Sequence, residues 1–346
     1  MVNMSEDEEQ LLGCINLILS INVNSLYTGE YCYKDTNLLK NIGLIRDIHK
    51  VYKYNLDKLE LKKYYGKEYS FDYLSFVDVL DRVLEYFKYL DDITDNKYNF
   101  VKEFNDVISN GTLNLEYDSD GSTCTYKRID EEHISIDIKV ENNLGDVFKI
   151  IHEFFHLKNL DKIGSSSNTK SFSEFISLYF ENLAMKYFSK DEEVLPFYIN
   201  YLVYNFSSSF DYESELTLLT LYDKTGNIDD NLFKMYDISF DSFFDEIIEL
   251  INTNDGLIFK VIDRYPYVLG SLLSNYLIYS SEFDVSDVTN NVLNIYENID
   301  DMNFKDILKK FGLILKGEID NEKISSSFDN LSFYLDKLYY KKKKGK

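Results

Sequence analysis

The chain has 346 residues, which allows one large domain or two lobes and is ample for a sizeable core. Hydrophobic residues at 45% and charged residues at 28% exclude a disordered chain, and a net charge of −23 argues against a nucleic-acid partner. With only two prolines, Pro196 and Pro266, and 14 glycines, the composition predicts a mostly α-helical protein.

In chain order, Ser5 to Glu8 reads as a capping box that opens a helix. That acidic opening is the opposite of the basic start of a secretory leader. The apolar run Leu11 to Ile21 contains Asn16 and is too short to span a bilayer. Cys14, Cys32 and Cys124 are odd in number and widely spaced, which predicts free thiols. Together these features point to a cytoplasmic protein with no membrane partner. Amphipathic helices continue to about residue 110, with Phe76, Val79, Leu80, Val83, Leu84 and Phe87 at helical spacing.

Near Asn110 the pattern changes. Thr112 to Tyr117 alternates, Asp118 to Ser122 turns, and Thr123 to Arg128 returns as a second strand. Ile134, Ile136, Ile138 and Val140 then line one face of a third strand, so we expect a small antiparallel sheet. Asp118 to Gly121 shares residues with a calcium loop. It lacks the spaced acceptors and closing Glu of such a loop, and reads as a plain turn. Asn142 and Asn143 can cap the next helix, from about Gly145 to Asn159. A polar stretch from Gly164 to Lys170 leads to a second helix, from about Phe172 to Phe188. Residues 195 to 340 read as helices with short connections, and Lys341 to Lys344 as a solvated basic tail. No linker divides the chain. We therefore expect one two-lobed body, with a helical lobe over residues 1–110, a second region over 111–340 and a tail over 341–346.

Two of the four histidines fall in His152-Glu153-Phe154-Phe155-His156, an HExxH motif. Helical spacing places His152 and His156 on one face, where both imidazoles can meet one Zn²⁺. Glu153 lies one step around the helix, in reach of a water polarised by the ion but not of the ion itself. Val147, Phe148, Ile151, Phe154 and Phe155 would bury the helix. A catalytic zinc wants a third protein ligand and an open corner. Glu174, 18 residues after His156, is the first choice. Glu181, seven residues further on the same helical face, suits a role orienting a histidine, with the alternative that it is the ligand. Asp161 follows the helix too closely. No histidine lies downstream of His156, so a further oxyanion donor would be Tyr or Arg, and Tyr265 and Tyr267 beside Pro266 are the candidates. The strand before the zinc helix, if it is an edge, could pair with an extended peptide.

These residues resemble the thimet oligopeptidase and oligoendopeptidase F family of zinc peptidases. The family shows a strand, HExxH, and a helix with a Glu-x-Pro-Ser-type segment and a further Glu. Here Glu174-Phe175-Ile176-Ser177 and Glu181-Asn182 match apart from the proline. Tyr265 to Tyr279 and Phe304 to Gly312 are similar to its later segments, and the likeness spans roughly residues 100 to 315. The resemblance implies one zinc on His152, His156 and Glu174, with Glu153 as base and a tyrosine near 265–267 stabilising the transition state. It implies a two-lobed helical zincin-like fold with the small sheet beside the active-site helix, and short peptides as substrates. Phe155 stands where the family has Gly, and only 151 residues precede the motif, so the N-terminal lobe would be reduced. Two further readings remain: a thermolysin-like or aminopeptidase-like zinc peptidase, and a zincin-fold binding protein without catalysis.

Overall fold

The computed structural model describes residues 9–10, 12–17, 19–20, 36–61, 73–118, 124–128, 134–160, 168–189, 191, 194–208, 213–227, 256–298 and 304–344. The cap at Ser5 to Glu8, Cys32, the turn through 119–123, His133 and Asp161 lie outside them. About 75% of the described residues are helical, and the expectation of a mostly α chain with a small sheet holds.

The elements are α1 (Thr36–Lys58), α2 (Phe76–Ile93), α3 (Phe100–Ser109), β1 (Leu113–Tyr117), β2 (Cys124–Arg128), β3 (Ile134–Val140), α4 (Leu144–Leu160) and α5 (Asn168–Phe188). Then come α6 (Val194–Ser208), α7 (Glu213–Thr225), α8 (Gly256–Tyr279), α9 (Val285–Glu297), α10 (Phe304–Lys310), β4 (Ile314–Leu315), β5 (Glu318–Ile319) and α11 (Asn321–Lys344). β4 and β5 form a short hairpin where helices alone were expected. Its two-residue loop, Lys316-Gly317, takes positive φ at both positions, the turn that the twist of a tight hairpin favours.

The elements around the candidate site start and stop for local reasons. Ser75 and Asp78 close a capping box on α2, each side chain accepting the other residue's backbone N–H. Asp91, near the end of α2, turns its carboxylate to the Phe100 and Val101 N–H groups at 2.6 and 3.2 Å and so caps α3. At the start of α4, Asn143 Oδ1 accepts from Gly145 N at 2.7 Å. Asp146 reaches back to the Asn143 and Glu141 N–H groups at 2.9 and 3.0 Å. Asn142, at φ +62°, makes the sharp entry from β3 into that cap.

The sheet departs from the antiparallel arrangement expected above. Its order is β1-β3-β2, with β1 parallel and β2 antiparallel to β3. The physical reason lies in β3. Ile136, Ile138 and Val140 are fully buried, so the most apolar strand takes the centre, where both its edges are paired. The strand before α4 is therefore not an edge. Register sets the faces: Leu113 and Leu115 lie beside Ile136 and Ile138, which in turn lie beside Tyr126 and Cys124. This face covers α4. On the other face Asn114 donates to Asp137 at 2.9 Å, and Lys127 pairs with Asp137.

Helix α5 is the axis of the fold. It packs on α4, α8, α6 and α9, and its residues from Ser173 to Ala184 are all buried. Phe155 of α4 stacks on Phe180 of α5 with ring centroids 3.6 Å apart, so the bulk at this position fills the seam between the two helices. Across the other seam Gly270 lets α8 approach closely. A Cβ there would meet Leu178 Cδ1 at 2.7 Å and the Phe175 Cα at 3.0 Å. Asn182 donates to Ser274 Oγ at 2.8 Å in the same seam. Tyr86 of α2 donates to the Phe180 carbonyl at 2.8 Å, and Phe87 packs on Phe154 at 4.7 Å. These contacts hold α4 and α5 side by side inside one continuous apolar core. No described helix is long and apolar enough to cross a membrane.

Candidate metal centre

His152 and His156 sit one turn apart on α4, and their Nε2 atoms face each other at 2.9 Å. Glu174 Oε2, from α5, lies 3.7 Å from His152 Nε2 and 3.5 Å from His156 Nε2. All three donor atoms fall within 4.8 Å of one another, and Glu174 and His156 are buried. For comparison, a tetrahedral zinc with bonds near 2.0–2.1 Å spaces its donors by roughly 3.3 Å. The observed triangle brackets that spacing, and two imidazoles with one carboxylate suit zinc chemically. The three residues therefore fit the ion.

The outer nitrogens of both rings are also engaged. His152 Nδ1 is 2.9 Å from Glu181 Oε2, and His156 Nδ1 is 2.7 Å from Ser173 Oγ. These partners fix each ring so that Nε2 is the atom presented. Tyr201 of α6 donates to the same Glu181 oxygen at 3.4 Å. The early histidine meets the late glutamate, and the late histidine meets the early serine, because α4 and α5 run antiparallel. Glu174 and Glu181 share one face of α5 because seven residues nearly complete two turns. Of the two acids, Glu174 lies on the Nε2 side and Glu181 on the Nδ1 side.

Electrostatics follow from this crowding. Burial lowers the basicity of His152, but the bond to Glu181 and the charges of Glu181, Glu153 and Glu174 outweigh it and push the ring up to about 9. An excess of buried carboxylate around two imidazoles is the field that a divalent cation would neutralise.

Glu153 is 7% exposed and points to the sheet side of α4. There Tyr126 of β2 donates its phenol to Glu153 Oε2 at 2.5 Å. The Tyr126 ring lies 6.4 Å from the His156 ring, nearly edge-on at 75°. Cys124, two residues earlier on the same face, is pushed up to about 12 by burial and by the Glu153 charge. Cys14 and Cys124 are free thiols. Tyr126 escaped the sequence reading. One tyrosine among 30 carries no signal until the register shows it opposite the buried Ile136.

Tyr265 and Tyr267 both lie on α8, flanking Pro266. Tyr265 is buried in the core and Tyr267 is 40% exposed. Two residues apart on a helix, they face directions about 200° apart and cannot both serve one site. Comparison of the chain with protein-family models, with curated proteins and with solved structures found no match.

Proposed function

We propose that the protein is a zinc-dependent metalloendopeptidase that hydrolyses short peptides, with a two-lobed zincin-like fold as in the oligopeptidase family that its sequence resembles. The observation that carries this reading is the convergence of His152 Nε2, His156 Nε2 and Glu174 Oε2, with a buried Glu153 on the next step of the same helix.

His152, His156 and Glu174 would hold one ion. When bound, zinc supplies Lewis acidity at a carbonyl and lowers the pKa of water toward about 7. Glu153 takes the proton of the attacking water and delivers it to the leaving amine as the peptide bond breaks. Glu181 and Ser173 keep the two rings turned to the reacting centre. Among the described strands, β2 is the outer one on the Glu153 side, so an extended peptide would pair there rather than along β3.

A quenched-peptide library tests the reading. Zinc-loaded protein should cleave internal bonds, lose the activity to a chelator, and regain it with zinc. Activity that survives the chelator overturns the metal mechanism. Trimming of single N-terminal residues points to an aminopeptidase, and zinc binding without cleavage to a binding protein.

A further inference from the structure

We propose that Tyr126 is a positioning residue for Glu153: its phenol, reaching in from the sheet edge, holds one carboxylate oxygen and leaves the other for the attacking water. The inference rests on the peptidase reading above.

The geometry has three parts. Tyr126 lies on an edge strand with its ring partly exposed, yet its hydroxyl turns inward to within 2.5 Å of Glu153 Oε2. That direction is fixed by register, since Tyr126 pairs with Ile136 on the face that covers α4. The ring also passes the edge of His156, so it spans the short path between strand and base. A glutamate side chain has three torsions, the last of them broad, and settles only where partners define it. Lys149 stands one turn before Glu153 on α4, and its charge is felt there. The Cys124 thiol, two residues before Tyr126 on β2, also reaches Glu153 but is a weak donor, so without the phenol only that thiol opposes the pull of the ammonium away from the histidines. Burial and the Glu153 charge keep the phenol protonated far above its ordinary range, so it remains a donor throughout the working range. A base held in one rotamer gains rate because its geometry is set before the substrate arrives.

The Tyr126→Phe variant removes the hydroxyl and keeps the ring. Two measurements decide the case. The first is a double-mutant cycle on denaturant unfolding of the metal-free chain, with wild type, Tyr126→Phe, Glu153→Ala and the double variant. Losing the hydroxyl should raise the unfolding constant about tenfold beside Glu153, and clearly less in the Glu153→Ala background, where no acceptor remains. Equal effects in both backgrounds overturn the link. The second is kinetics on zinc-loaded protein. The kcat of Tyr126→Phe should fall on the order of 10- to 100-fold, with KM and zinc affinity unchanged within about twofold. An unchanged kcat, or a loss matched by lost zinc, reduces the bond to a structural tie and overturns the proposal. A wild type that binds zinc and cleaves nothing sinks the peptidase reading instead, while the cycle still reports whether the two side chains are coupled.

Discussion

On the proposed function, Glu153→Gln should retain one zinc per chain and lose on the order of 10³-fold in kcat. The substitution keeps the size of the side chain and its acceptor for Tyr126, so the helix and the sheet contact survive. What it removes is the capacity to take a proton. Neither ring nor carboxylate of the metal triangle is touched, and KM should stay close to wild type. The check is steady-state peptide hydrolysis beside metal analysis of the same preparation. Turnover within tenfold of wild type would reject Glu153 as the base.

Glu174→Ala should weaken zinc binding by more than about 100-fold, whereas Glu181→Ala should cost about 10- to 100-fold. The asymmetry follows from which nitrogen each acid faces. Glu174 sits at 3.5 and 3.7 Å from the two Nε2 atoms, while Glu181 contacts His152 at Nδ1. Loss of Glu174 would remove a donor from a bound ion, and loss of Glu181 would only loosen a ring. Competition with a chelating dye measures both. If Glu181→Ala proved the more damaging, the roles of the two acids would be exchanged.

Much of this centre was legible in the sequence because helical spacing is arithmetic. Four residues bring His152 and His156 to one face, and seven bring Glu174 and Glu181 to one face, whatever the rest of the chain does. The cap at Asn143 was legible too, since it acts two residues from its partner, whereas the sequence analysis did not anticipate the reach of Asp146 back to Glu141. Strand order was not. Periodicity gives each strand a face but says nothing about its neighbours, and the parallel pairing of β1 with β3 depends on the path of the whole segment. Placing β3 at the centre moved the open edge to β2 and brought Tyr126 to Glu153. The hairpin at Lys316-Gly317 lies in a stretch whose pattern predicts helices, and Lys-Gly lacks the Asn or Asp that marks such a turn in a sequence. Tyr265 and Tyr267 stood out because they flank a rare proline, yet helix geometry separates them. A proline marks a backbone feature and carries no information about chemistry.

On the proposed function, two imidazoles and one carboxylate hold a single zinc and leave one corner open. X-ray absorption on protein carrying one equivalent of zinc tests it directly. The expected shell has two imidazole nitrogens and two oxygens at about 2.0–2.1 Å, with no sulfur. A shell without imidazole scattering, a shell containing sulfur, or zinc that washes out on dialysis would contradict the account.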